Sequence, residues 1–405
     1  MYMNGDKTIM ASCKSCNNTI KPFLRFHMPL AGLFLAEKKD NAISYPLSLC
    51  FCDRCTLVQV EEEIDPHVLF DNYMYKTGTI STLKNHFENF SQNLQQHYTF
   101  NTILEIGCND GTFLKNFANK NTIGVDPSDV ALKATKEHSN IELYNTFFSA
   151  NLAKQIVEKY KNIEIIYASN CFAHIPTIKD IVEGISFLLT SKESIFITEV
   201  HWLGTLIKDL QFPFIYHEHV FYYSYKSLSY LLELYNIEIF KVEHISTHGG
   251  SIRYYCCKKG ARSIDKSVLL LRYAEENLEL YNFETFINFT KTIYSMKETI
   301  NLTIKNILSN NQTIVAYGAS GQAQTFLSLY ELDNDKISYI VDDSPLKIGK
   351  YTSSGLIPIK PSSFLYESQP DYILCLAYTF FNEIYNKHSS LNCKWIIPLP
   401  EIKII

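Results

Sequence analysis

An α/β architecture with two nucleotide-fold halves, preceded by a small cysteine-knuckle module, is the fold class this sequence predicts. Three stretches carry that prediction. Residues 102–128, TILEIGCNDGTFLKNFANKNTIGVDPS, read as strand, glycine turn, helix, strand and acid. Residues 313–343 follow the same plan, with Gly318-Ala-Ser-Gly321 as the turn and Asp342-Asp343 at the end of the second strand. Near the start, Cys13-Lys-Ser-Cys16 and Cys52-Asp-Arg-Cys55 form two C-x-x-C pairs. Strand, turn, helix, strand is the repeating unit of a doubly wound sheet, whose ligands sit beyond the carboxyl ends of the strands.

With 405 residues the chain exceeds one ordinary domain, and 46% hydrophobic with 20% charged residues is a globular composition. The pattern divides it into 1–70, 71–245 and 246–405, the last beginning with linking helices at 263–308. A net charge of −5 without a long Lys/Arg run argues against nucleic acid as the main partner. No run approaches the roughly 18 apolar residues of a membrane span. The polar first residues do not resemble a signal peptide, so the eleven cysteines are expected to be reduced thiols in the cytoplasm. A monomer or homodimer is expected.

Taken in order, Cys13, Cys16, Cys52 and Cys55 are able to aim four thiolates at one tetrahedral zinc, which would let a small region fold beside a larger core. A redox dithiol or plain buried thiols are the alternative. Residues 17–51 exceed the usual ribbon spacing, so a loop or small hairpin must fill the interval. Cys50, two residues before Cys52, does not make a knuckle. Next comes Asp71-Asn-Tyr73-Met-Tyr75-Lys-Thr-Gly78, ahead of a helical run over 82–98; its tyrosines suit packing or a substrate.

In the first glycine turn the pattern is Glu105-x-Gly107-x-Asn109-x-Gly111, not the G-x-G-x-x-G of a dinucleotide site. An acid ahead of the first glycine suits a ligand with an ammonium group and a ribose but no pyrophosphate. Asp126, at the end of the second strand, is placed to accept both ribose hydroxyls. The pattern resembles the first motif of class I S-adenosylmethionine (SAM) methyltransferases; the alternative is an ordinary βαβ unit with turn glycines. A third strand over 163–168 closes with Ser169-Asn170-Cys-Phe-Ala-His174-Ile-Pro176, a cluster past a strand's carboxyl end, where open α/β sheets place ligands; a helix over 178–189 and a strand over 194–200 follow.

The run Tyr216-His217-Glu218-His219 precedes a helix over 226–235 and has three readings. As a strand it puts His217 and His219 on one face, where His174 or His201 completes a metal site. As an acid–base set, Tyr216 and His219 do the chemistry and Glu218 orients one of them. As a polar loop, the histidines merely hydrogen-bond. Further on, His248-Gly-Gly-Ser251-Ile-Arg253 is either an anion site or a hairpin turn.

Together, the cysteine knuckles, EIGCNDG at 105–111, NCFAHIP at 170–176, YHEH at 216–219, HGGSIR at 248–253 and the glycine-turn tail resemble the sugar C-methyltransferase family. That resemblance covers nearly the whole chain. It implies a class I SAM-methyltransferase Rossmann-like domain between a zinc-binding module and a second Rossmann-like domain. It implies methylation at C3 of a dTDP-linked 4-keto-deoxysugar, with SAM as methyl donor and a structural zinc. His219 is then the base, Tyr216 and Glu218 stand beside it, and His174 faces the same cavity. Glu105, Gly107, Asn109, Gly111, Asp126 and Asn170 hold SAM. Tyr73, Tyr75, His248, Ser251, Arg253, Gly318 and Gln322 are the candidate substrate contacts. No metal is needed at the histidines, and Tyr216 and His219 can meet only on a loop.

One departure stands out. The family tail often reads Gly-Ala-x-x-Lys-Gly, whereas this chain has Gln322-Ala323 where the cation is expected, leaving Arg253 as the candidate for that charge. Another keto acceptor, O- or N-methylation, a non-catalytic SAM-binding protein, and a metal-dependent hydrolase using His174, His217 and His219 are the competing functions.

Overall fold

The computed structural model describes residues 11–38, 42–65, 68–69, 77–79, 81–134, 136 and 140–405. Tyr73 and Tyr75, and the side chain of His248, lie outside the described residues. The central sheet has seven strands: β5 (Thr102–Ile106), β6 (Asn121–Val125), β7 (Ile141–Tyr144), β8 (Ile165–Ser169), β9 (Ile195–His201), β11 (Ile237–Ile245) and β12 (Ser251–Lys258). They lie in the order β11-β12-β9-β8-β5-β6-β7. Strands β9, β8, β5, β6 and β7 run parallel, and β12 is antiparallel to both β9 and β11. This is the class I methyltransferase arrangement, a parallel sheet closed by a hairpin whose second strand wedges inward. Parallel strands are covered on both faces, which is why β8 opens on a continuous apolar run and β5 is interrupted only by Glu105 between Leu104 and Ile106. Pairing of β12 carries this sheet past residue 245, although the sequence division falls inside the hairpin.

One expected element is not there. The helix anticipated after Gly111 is only a single 3-10 turn, Leu114–Asn116. Local side chains compete for the backbone here: Asp110 accepts from the Thr112 N–H and hydroxyl, and the Asn116 amide donates to the Thr112 and Phe113 carbonyls. Without a helix N-terminus the turn has no dipole aimed at a pyrophosphate, in keeping with a ligand that lacks one.

A four-stranded sheet, β1 (Lys21–Met28), β3 (Tyr45–Phe51), β4 (Val58–Val60) and β10 (Phe221–Tyr222), makes the N-terminal module. Its β1–β3 hairpin fills the interval between the cysteine pairs. The C-terminal sheet has the order β16-β14-β13-β17-β18-β19, built from β13 (Ile314–Tyr317), β14 (Ile340–Asp342), β16 (Ile359–Pro361), β17 (Tyr372–Cys375), β18 (Lys394–Ile397) and β19 (Lys403–Ile404). The linking stretch forms two helices, Lys266–Asn277 and Phe283–Ser309, each capped by a side chain, Asp265 and Asn282.

The three parts interlock. Strand β10 comes from the middle of the chain yet pairs with β4. Strand β2 (Phe34–Leu35) pairs with β15 (Tyr351–Thr352) of the C-terminal part. The helix Gly321–Tyr330 is the wedge between all three: the Gln324 amide donates to the Leu33 carbonyl, and the Thr325 hydroxyl donates to the Ile215 carbonyl. Among the described residues no helix is long and apolar enough to cross a membrane.

Candidate active site

The first turn lies at the point where strand order reverses, with β6 on one side of β5 and β8 on the other. A narrow cleft there is lined by Thr77, Phe87, Glu105, Gly107, Asn109, Thr112 and Ser169, among others. Gly107 has φ +74°, and a Cβ on it would fall 2.8 Å from that of Cys171, so only glycine fits. Glu105 is buried at 3% exposure, and its Oε2 has no hydrogen-bond partner among the described residues. Burial, then the neighbouring charges of Asp126, Asp110 and Glu199, push its carboxyl well above the usual range. A cleft ringed with carboxylates and holding one orphaned oxygen suits a cationic ligand. SAM, with a sulfonium and an ammonium, is such a ligand; when bound it supplies an electrophilic methyl group.

Asp126 is less open than its position at the strand end implies. Its Oδ2 accepts from the Asn109 N–H at 2.9 Å, and its Oδ1 from the Ser128 N–H at 2.8 Å and from the Ser128 hydroxyl. It therefore fastens the motif turn, with little acceptor capacity to spare for a ligand. Asn170, at φ +50°, follows β8 and donates to Ser169 Oγ at 3.1 Å on the cleft rim. Sequence reasoning missed Phe87, because a helix face carries no motif, whereas Ser169 opens the cluster expected past the third strand. Thr77 belonged to a stretch already singled out, but its backbone contact with Asn109 has no sequence signal.

From Asn170 the chain runs directly to the second cluster. Tyr216 to His219 form a tight turn, with the His219 N–H donating to the Tyr216 carbonyl at 2.9 Å, so the run is a loop and not a strand. Ring centres of Tyr216 and His219 lie 4.0 Å apart, and those of His174 and His219 4.8 Å. His174 Nδ1 faces the Glu218 carbonyl at 2.6 Å, and His219 Nδ1 faces the Phe214 carbonyl at 2.7 Å. A carbonyl can only accept, so both Nδ1 atoms carry protons and both Nε2 atoms are the basic ones. Burial lowers the His174 imidazole below its ordinary value, keeping it neutral. Glu218 Oε2 is orphaned among the described residues, and burial raises that carboxyl while the Gly32 backbone partly offsets it.

His217 turns elsewhere. It is 3% exposed and its Nε2 meets the Pro46 carbonyl at 3.0 Å, pinning the loop to the N-terminal module. His201 stacks on Phe214 with ring centres 4.3 Å apart and meets Gln211 Oε1 at 2.7 Å. Among the described residues, the histidines thus do not converge on one metal position. His174, Tyr216, Glu218 and His219 are brought together, and the metal arrangement weighed for His217 is not formed.

HGGSIR is a hairpin turn. Gly249 and Gly250 both have positive φ, the Ser251 hydroxyl donates to the Thr247 carbonyl at 3.1 Å, and the strand enters the central sheet. Arg253 is 7% exposed and bound to Glu199 at 2.7 Å and Glu243 at 2.9 Å. Neither Ser251 nor Arg253 is presented to a diphosphate, because each is spent on internal partners. In the tail, Gly318 has φ +98°, and a Cβ would fall 2.8 Å from that of Ala377, so the glycine is required by the β13–β17 approach. Gln322 lies in the first turn of the helix capped by Ser320. A cation does stand beside this turn: Lys347 Nζ is 3.3 Å from Asp342 Oδ2, which also accepts the Ala319 N–H at 2.8 Å. The turn at Ala31–Gly32 joins the two places, since Gly321 would carry a Cβ 3.3 Å from Ala31 and Gly32 one 3.9 Å from Glu218 Oε1.

Cys13, Cys16, Cys52 and Cys55 bring four sulfurs within 4.8 Å of one another, with Cys13–Cys55 and Cys16–Cys52 at 3.4 Å. Zinc–sulfur bonds of about 2.3 Å put tetrahedral sulfurs roughly 3.8 Å apart, so the cage fits zinc and leaves no ligand position open. Cys50 points away, its thiol 3.8 Å from Glu61. The knuckles pack in one cluster with Val220, Phe221 and Tyr223, directly after the Tyr216–His219 loop. The protein is expected to keep about one zinc per chain when purified without chelator, and Cys16→Ala to fall below about half of that. Elemental analysis measures both, and an unchanged zinc content in the variant would contradict the four-thiolate cage.

Comparison with known proteins finds three family models along the chain. Residues 13–70 match a family model described as "Putative zinc binding domain", residues 82–242 a "Methyltransferase domain", and residues 246–400 a "C-methyltransferase C-terminal domain". The C-methyltransferase NovU of Streptomyces niveus is 28% identical over 388 residues, covering 93% of this chain and 92% of that protein. Among solved structures, the PH0226 protein of Pyrococcus horikoshii is 14% identical over 49% of this chain and all of its own, with a TM-score of 0.38. A SAM-dependent methyltransferase of Anabaena variabilis is 17% identical over 42% of this chain and 83% of its own, with a TM-score of 0.33.

Proposed function

We propose that this chain, a SAM-dependent C-methyltransferase carrying in order a zinc-binding, a methyltransferase and a C-methyltransferase C-terminal domain, methylates C3 of a nucleotide-linked 4-keto-deoxysugar. The observation that carries the reading is the His174–Tyr216–Glu218–His219 cluster, placed one short segment beyond the cofactor cleft. A hydrogen next to a ketone is weakly acidic, and a positioned base removes it if the growing enolate oxygen is stabilised. His219 Nε2 takes that proton. The Tyr216 hydroxyl stands within the same cluster to stabilise the enolate oxygen, while the neutral His174, its Nδ1 proton held by the Glu218 carbonyl, packs against the His219 ring. Glu218 fixes the orientation of His174 through its backbone carbonyl. Transfer to the resulting carbanion then depends mainly on positioning, which the interlocked parts provide.

The domain division 1–70, 71–245 and 246–405 serves this chemistry. The first and last parts close over the acid–base loop, and the middle part holds the donor through Glu105, Gly107, Asn109, Gly111, Asp126 and Asn170. For the acceptor, the Ser320–Gln322 start of the helix offers backbone N–H donors, those of Gly318 and Ala319 being held by Val341 and Asp342, and Lys347 takes over the charge sought from Arg253. Lys347→Ala is expected to weaken nucleoside diphosphate binding by about 1.5–3 kcal/mol, and Gln322→Lys to tighten it. Calorimetry with dTDP and UDP measures both; if neither substitution changes either affinity, the nucleotide sugar gives way to a smaller keto acceptor. The reading as a whole is tested by incubating the protein with labelled SAM and a panel of nucleotide-linked 4-keto sugars. Mass spectrometry is expected to find one acceptor gaining the label, and no labelled sugar across the panel would refute it.

A further inference from the structure

The buried cluster around Arg253 has no task in the chemistry above, yet it lies directly behind the cofactor cleft. Glu199 is near the end of β9 with its side chain 1% exposed. Its Oε1 accepts from Arg253 Nε at 2.7 Å, and its Oε2 from His86 Nε2 at 2.9 Å and Ser169 Oγ at 3.3 Å. Its backbone carbonyl accepts the Asn170 N–H at 2.9 Å. A carboxylate so far from water stays charged only with such partners. Burial alone would raise it, but the His86 hydrogen bond and the Arg253 charge hold it at about 2.

These contacts join the two walls of the cleft. Ser169 lines it from β8, and Phe87, next to His86, lines it from the helix Ser81–His97. Arg253 reaches the same helix one turn further on, its guanidinium 3.6 Å from the centre of the Phe90 ring. Just ahead of the helix, the Thr77 and Gly78 N–H groups donate to Asn109 and Asp110 of the motif turn.

We infer that Glu199 is a positioning hub and His86 its latch, holding the helix Ser81–His97 over the cleft and fixing the Ser169–Asn170 rim against SAM. The inference rests on the cleft being the SAM site. Breaking the latch loosens the hold on SAM and leaves the transfer step alone, since neither side chain is among those assigned to the chemistry. Calorimetry should find His86→Ala raising the SAM dissociation constant about tenfold, the worth of one charge-assisted hydrogen bond. Turnover at saturating SAM should stay within about twofold, and amide exchange across 81–97 should speed up. His86→Gln, whose amide can donate to Glu199 from the same direction, should recover most of the affinity; if the alanine variant does not fold, His86→Asn, one carbon shorter, replaces it. An unchanged SAM affinity in the broken variant, or a loss that glutamine does not recover, overturns the latch. Glu105→Gln separates the two levels: if it weakens SAM while the His86 variants do not, the latch fails and the cleft stands, and if SAM affinity ignores Glu105 as well, the cleft assignment itself fails.

Discussion

Replacing His219 by Gln is expected to lower turnover by about 10²–10⁴ while leaving SAM affinity unchanged. Glutamine keeps much of the size and can still donate to the Phe214 carbonyl, which His219 Nδ1 meets at 2.7 Å. It cannot take a proton. The loss therefore reports the base and not the loop, whose fold also rests on His217 and Pro46. Tyr216→Phe should cost less, because it removes one hydrogen bond to the enolate oxygen and leaves the base in place. Exchange of the substrate hydrogen next to the ketone with heavy water, followed by NMR without SAM, isolates the first step. It should proceed in the native protein and cease in His219→Gln. Exchange that persists moves the base to Tyr216 or His174.

Glu105→Gln is expected to weaken SAM at least tenfold and, in the same protein, to raise the melting temperature of the unliganded form at neutral pH. Both effects come from one buried carboxyl with an orphaned oxygen. Its folded pKa is raised well above the ordinary value, first by burial and then by Asp126, Asp110 and Glu199. The sign follows from linkage: above about pH 4.3, where the unfolded glutamate ionises, the unfolded state loses its proton first, so stability falls as pH rises toward the folded pKa. Glutamine removes that penalty, and the gap between the two melting curves should widen from pH 5 to neutrality. A cationic ligand reverses the balance, since it favours the ionised carboxylate. SAM binding should then release protons and strengthen with pH over the same interval, by at least the roughly 1.5–3 kcal/mol of a charge-assisted hydrogen bond when fully ionised. Calorimetry in buffers of different ionisation enthalpy counts those protons. A SAM affinity that is flat with pH and indifferent to the substitution would place the ammonium elsewhere.

Much of this was legible in the sequence where the controlling interactions are local. The buried parallel strands show as short, mostly apolar runs, as in Ile103-Leu104-Glu105-Ile106, where the acid is the one interruption. The four knuckle cysteines announce themselves by their spacing. The need for Tyr216 and His219 to share a loop follows from strand geometry, and the tight turn at 216–219 supplies it. What sequence could not show depends on partners far away in the chain. Arg253 looked like a phosphate ligand until Glu199, 54 residues before it, claimed its guanidinium. His217 looked like a metal ligand, but its partner is the carbonyl of Pro46, 171 residues away. The lost helix after Gly111 is a different failure: Asp110, Thr112 and Asn116 hydrogen-bond to the local backbone, and that competition outweighed the helical spacing of Phe113, Leu114 and Phe117. Lys347 could not be paired with the Gly318 turn from sequence, because the contact runs through Asp342 on the neighbouring strand.

The account stands or falls on where the methyl group goes. SAM with an isotopically labelled methyl, supplied with a nucleotide-linked 4-keto-deoxysugar and the native protein, yields a product whose labelled carbon can be placed by NMR. The arrangement of His219, Tyr216, His174 and Glu218 predicts a labelled methyl bonded to the ring carbon beside the ketone, at C3, and none formed with His219→Gln. A label bonded to oxygen or nitrogen, or appearing equally with the variant, would contradict it.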